Sequence, residues 1–195
     1  MNPLKSVLGT IVSGFVLAII ITLVMGKGSL NLLEIEVWLH VIAGITWIGL
    51  LYYFNFVQVP GVNKALADKD GPGPAAISRY IAPSALLWFR WAAVATWLTG
   101  MGALENMMPG ASMKAFMFAD GFAIIGVGTW LGTIMLFNVW VLIWPNQKKI
   151  LGMVDATAEE IAKAKFVALM ASRINTVLSI PLLMSMTGHM HGLPF

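Results

Sequence analysis

Long apolar runs separated by short polar stretches set the pattern of this chain, and the runs have the length of a bilayer rather than of a soluble core helix. The first, Val7 to Met25, is about nineteen residues, enough to cross a ~30 Å hydrocarbon layer. A second run covers 35–59 and stops before Pro60-Gly61. The polar stretch from Asn63 closes on Gly71-Pro72-Gly73-Pro74, a loop by its punctuation. A third run, 83–104, opens on Pro83, which suits a first helical turn because its missing N–H is not needed there. Met107-Met108-Pro109-Gly110 reads as a turn, and the fourth run, 120–144, is closed by Pro145-Asn146. Thr157-x-x-Glu160 has the spacing of a capping box for a helix that carries Lys163 and Lys165 into a fifth run, 166–186, where Pro181 predicts a kink. The predicted fold is therefore all-α: one domain over 1–195, an integral membrane bundle of five transmembrane helices.

Composition strengthens this reading. Hydrophobic residues make up 58% and charged residues 11%, less than half the ~25% charge of an ordinary soluble domain. So few charges could not cover a surface facing water. Lys5 ahead of an apolar run resembles a signal peptide, but Met25-Gly26-Lys27-Gly28 has no A-x-A cleavage pattern, so the segment is expected to stay as a helix.

The basic residues are unevenly placed. Lys5, Lys64, Lys69, Arg79, Lys148, Lys149, Lys163 and Lys165 fall on one side of the predicted spans, and only Lys27 and Lys114 on the other. By the positive-inside bias the N-terminus faces the cytoplasm and the C-terminal His189-Met190-His191 faces outward. The expected location is the inner membrane of a bacterium, with lipid as the surrounding partner. The net charge of +3 comes with no basic stripe, which leaves no case for nucleic-acid binding.

Cysteine is absent, so disulfides, iron–sulfur ligation and a covalent CxxCH haem are excluded from this stretch. Placing polar residues by depth gives two layers. One holds all three histidines, His40, His189 and His191. His40 with His189 on facing helices is a candidate pair of ligands for haem b, and His189-x-His191 with nearby methionines a candidate copper site. The plainer alternative is one interhelical hydrogen bond at His40 and a solvated tail. The other layer holds Asn55, Arg90, Asn138, Arg173 and Asn175. Charges at depth are costly, so Arg90, Arg173, Asn138 and Asn175 are candidates for an anion-binding pocket, set against arginines that snorkel to headgroups. Gly128 and Gly132 form a GxxxG pair, read either as packing within the bundle or as a face for another membrane subunit.

Three blocks then point to a family. Trp38-Leu39-His40 with Ala43-Gly44-Ile45-Thr46-Trp47-Ile48-Gly49 resembles the membrane-bound urate hydroxylases. So do Asn138-Val139-Trp140 with Trp144-Pro145-Asn146-Gln147-Lys148-Lys149, and Ser172-Arg173 with Asn175-Thr176, Ser179-Ile180-Pro181 and His189. The resemblance implies a membrane domain that oxidises urate and passes electrons to a C-terminal cytochrome c. Here the sequence ends at Phe195 without CxxCH, the short form of such a protein, so an external cytochrome c is the expected acceptor. In that reading the arginine and asparagine layer holds the planar anion, and Arg173→Met abolishes binding. The alternatives are a non-catalytic accessory subunit of a larger membrane complex and, third, a transporter, for which no inverted repeat or mid-membrane carboxylate speaks. No phosphate loop, nucleophile elbow or HExxH is present.

Overall fold

The computed structural model describes residues 2–26 and 28–194; Lys27, counted above in the charge bias, lies outside the described residues. Every element of secondary structure among them is helical. The chain divides into two compact units, Met1–Leu32 and Leu33–Phe195.

The first unit is a short 3-10 turn, Pro3–Lys5, followed by helix α1, Val7–Met25. Ser6 caps α1, its Oγ accepting from the Gly9 N–H at 3.0 Å. Thr10 and Thr22 donate their hydroxyls to carbonyls four residues back, at 3.0 Å each. Both threonine hydroxyls of the helix are thus satisfied by its own backbone, as hydrocarbon surroundings would require. No residue of α1 is buried.

The second unit contains four long helices, α2 (Leu32–Ala67), α3 (Ile77–Met107), α5 (Ala123–Ile150) and α6 (Ala158–His191), with a short α4 (Ala111–Phe116) between α3 and α5. The capping box expected at Thr157 is present: its Oγ1 accepts from the Glu160 N–H at 3.2 Å, and Glu160 Oε2 accepts from the Thr157 N–H at 2.8 Å. The α3–α4 turn needs Gly110, whose φ of 79° is left-handed backbone. Glu105 secures it by accepting from the Gly110 and Ser112 N–H groups and from the Ser112 hydroxyl.

Trp47, Leu51, Phe89, Met135 and Val139 are the large, fully buried centre of this unit. On α6 the buried positions are Ala164, Ala168, Ala171, Asn175, Ser179, Leu182, Ser185 and Gly188. They recur every three or four residues, so one narrow face of small side chains lets α5 approach. Gly128 and Gly132 belong to that contact. A Cβ on Gly128 would lie 2.6 Å from Ser185 Oγ, and one on Gly132 would meet Leu182 Cδ1 at 3.6 Å. This glycine face is covered by the chain's own last helix.

Among the described residues five helices, α1 included, are long and apolar enough to cross a membrane. Within the most apolar window of each, none of α1 and 22–33% of the others is buried. Trp88, Trp91, Phe137, Ile174, Val177 and Ile180 are all exposed. Apolar surface on that scale suits lipid and not water. Charge is asymmetric too. Lys64, Lys69, Arg79, Lys148, Lys149, Lys163 and Lys165 gather where α2 and α5 end and α3 and α6 begin, with Lys114 at the opposite end.

Candidate functional site

Three prolines organise the basic end of the second unit. Pro60, Pro83 and Pro145 were each expected at the boundary of a span, yet α2, α3 and α5 run through them. A proline inside a helix lacks its N–H and its ring collides with the carbonyl four residues back. Here each is preceded by a π-helical segment, Phe54–Gln58, Ile77–Ile81 and Asn138–Ile143. The residue before each proline donates to the carbonyl five residues back: Val59 to Phe54, Ala82 to Ile77 and Trp144 to Val139. The wider turn gives the ring room without ending the helix. Such bulges are frequent at functional sites.

All three segments line one cavity of about 380 Å³. The first contributes Phe54 and Gln58, the second Ser78 and the third Ile143. Its floor is apolar, with Leu86 and Phe89 beneath, and Phe54 meets Phe89 edge-on at 5.4 Å between ring centroids. Its polar lining is Gln58, Asn63, Ser78, Gln147, Lys165 and Ser172. Among the described residues Lys165 is the charged group of the lining, and no carboxylate belongs to it. Asn55 stands behind this wall. Its Nδ2 donates to the Leu51 carbonyl at 2.9 Å and to Ser172 Oγ at 2.8 Å. The side-chain oxygens of Asn55 and Gln58 are both buried without a hydrogen-bond partner.

The residues singled out from the sequence are dispersed around this site rather than gathered in it. Asn138 donates from Nδ2 to Asn175 Oδ1 at 2.8 Å, and Asn175 Nδ2 donates to the Met135 carbonyl at 3.0 Å. The pair is buried and ties the start of the α5 π segment to α6. Arg90 lays its guanidinium over the Trp144 indole, 3.8 Å from the ring centroid. Arg173 is exposed on α6. Two residues apart on a helix means ~200° of rotation, so Arg173 and Asn175 share a depth but not a face. None of Arg90, Asn138, Arg173 and Asn175 lines the cavity.

The histidines also separate. His40 Nδ1 lies 2.7 Å from the Thr96 carbonyl on α3. Its ring fills the space over Gly100, where a Cβ would come within 2.9 Å of Cε1. One turn earlier on α2, Glu36 accepts from Asn106 Nδ2 at 2.8 Å. His189 faces Phe122, 6.3 Å between ring centroids, and His191 is exposed. Among the described residues no three His, Cys, Asp or Glu side chains gather as a metal cluster. Neither the cavity nor the shallow groove over Trp97 and Trp140 is lined by a histidine. His40 and His189 thus have different neighbours, the Thr96 carbonyl and the Phe122 ring.

Gln58, Asn63, Ser78 and Lys165 were not singled out from the sequence as binding residues, and Gln147 and Ser172 entered only as motif positions. The usable signal was an amide two residues from a mid-helix proline: Gln58-Val59-Pro60 and Pro145-Asn146-Gln147.

Residues 106–195 match the urate oxidase N-terminal family, which relates this part of the chain to urate oxidases. Neither the curated proteins nor the solved structures compared with the chain include a match. The matching stretch holds α4, α5 and α6 and supplies one wall of the cavity, including Ile143, Gln147, Lys165 and Ser172.

Proposed function

We propose that the chain is a membrane-embedded relative of the urate oxidases whose cavity at the proline end binds a small planar anion of the urate class. Its oxidation would send electrons to a separate acceptor, for which an external c-type cytochrome is the natural candidate. One observation carries this reading. The stretch related to urate oxidases forms a wall of the cavity, and that cavity combines an apolar floor, amide and hydroxyl groups, a lysine and no carboxylate.

The chemistry is consistent from the residues upward. An apolar floor receives the face of a flat ring, while groups at the edge fix its orientation. Lys165 draws a negative charge to the mouth, and the lack of acidic side chains leaves nothing to repel it. Gln147 offers both an N–H donor and a carbonyl acceptor, the combination an oxo-heterocycle presents at its own edge. No step is assigned to haem or copper.

The direct test is equilibrium binding of urate to the purified protein in detergent. Saturable binding is expected, weakened about fivefold or more by Gln147→Leu, the range in which one lost polar contact falls. Absence of binding to the wild-type protein overturns the proposal.

A further inference from the structure

We infer that Gln58 selects the occupant of this cavity by accepting a hydrogen bond from a ring N–H, so that the site favours anionic heterocycles with an unsubstituted N–H edge over N-methylated ones. This rests on the reading of the cavity given above and adds the residue that sets its specificity.

The argument starts from a group without a partner. Gln58 Oε1 is buried and accepts no hydrogen bond, although Gln58 lines the cavity. Buried polar groups nearly always find partners, and an acceptor left open at a cavity wall is most simply answered by a donor on what enters it. Asn55, one turn earlier on α2, has the same condition: Nδ2 is spent on the Leu51 carbonyl and Ser172 Oγ, and Oδ1 is unpaired. Those two bonds fix the way the Asn55 amide points. Asn55 stands behind the wall, so Gln58 Oε1 is the unanswered acceptor that the α2 side brings to the cavity.

The facing wall has the opposite character. Ser172 Oγ accepts from Asn55, which leaves the serine O–H as a donor, and Lys165 adds an ammonium group on the same helix. The cavity thus offers an open acceptor at Gln58 together with a positive charge at Lys165. A simple carboxylate or phosphate would answer Lys165 and leave Gln58 Oε1 unanswered. A metal cation would answer Gln58 Oε1 and meet the charge of Lys165. A ring with N–H on one edge and anionic or carbonyl oxygen on the other satisfies both.

The placement of Gln58 follows from Pro60. The π turn Phe54–Gln58 holds Gln58 beside Phe54 at the cavity, so ring stacking and N–H reading come from one wide turn.

The experiment measures equilibrium binding of urate and its four mono-N-methyl derivatives to the purified full chain, as wild type, Gln58→Met and Gln58→Glu. In the wild type at least one N-methyl derivative is expected to bind about tenfold or more weakly than urate, since a site built around a hydrogen bond rejects the analogue that lacks it. In Gln58→Met, which keeps the length and removes the acceptor, that gap closes to within about threefold, chiefly because urate binds less tightly. Gln58→Glu keeps an acceptor oxygen, so it retains the N–H preference while its added charge weakens every anion. Equal wild-type affinity for all five ligands overturns the inference. So does a preference that survives in Gln58→Met, the result expected if Gln58 is answered by water. In both cases urate still binds and the cavity reading stands. If the wild type binds none of the five, the cavity reading falls and this inference with it.

Discussion

Asn175 is the polar residue whose removal the structure makes most informative. It is fully buried, accepts from Asn138 and donates to the Met135 carbonyl. Asn175→Leu keeps the approximate volume and strands two groups, the Asn138 amide and the Met135 carbonyl. A stranded buried group costs about 1–3 kcal/mol. The carbonyl retains part of its pairing, because the Asn138 backbone N–H also reaches it, so the expected total is about 2–4 kcal/mol. Asn138→Leu strands only Asn175 Oδ1 and should cost about 1–2 kcal/mol. In the double variant the stranded Asn138 amide no longer exists, so the combined loss should fall short of the sum by about 1–2 kcal/mol. The assay is reversible unfolding of the full chain in mixed micelles with increasing SDS, run as a four-member cycle. Strict additivity, or an Asn175 loss no larger than that of Asn138, would refute the view that this pair holds the α5 π segment to α6.

Three further outcomes are expected. Gly100→Ala places a methyl 2.9 Å from His40 Cε1 and should destabilise by about 1–3 kcal/mol in a thermal melt, with most of the loss absent in a His40→Ala background. Pro60→Ala restores an N–H and removes the reason for the wide turn before it. Urate affinity should fall about fivefold or more while stability holds or rises, and an unchanged affinity would show that the π turn does not position the cavity wall. Arg173→Met should leave urate binding within about twofold of wild type, because the side chain is exposed on a face away from Asn175; a surface charge acts weakly at that remove.

The places of the long helices were legible in the sequence; azimuth and backbone register were not. The apolar runs located the long helices because hydropathy over a bilayer's width is a strong signal, and Thr157 with Glu160 fixed a helix start because both partners lie within one turn. The prolines misled because proline is read as a stop. Pro60, Pro83 and Pro145 instead sit after π segments that absorb them, a tertiary outcome that no local rule predicts. Depth also grouped Arg173 with Asn175, where rotation about the helix parts them. The histidines shared a level for the same reason, yet His40 settles on Thr96 and Gly100 while His189 settles on Phe122. Gln58 was overlooked because an amide in an apolar run gives no sign of chemistry until its oxygen is found unpaired.

The length of α6 bears on how such a protein would work in a cell. Its 34 residues extend ~51 Å at 1.5 Å each, about 20 Å beyond a hydrocarbon layer. More than half of that surplus is the charged start of the helix, about 12 Å of it, where Glu159, Glu160, Lys163 and Lys165 lie. In the membrane-embedded reading proposed above these residues stand among headgroups and water, and Lys165 lines the cavity at that level. Access is then sided: sealed vesicles holding the protein in a single orientation would take up label from one compartment and ignore the same solute in the other. In the reading proposed above, which compartment loads the site would then follow from which face of the membrane meets the basic loops.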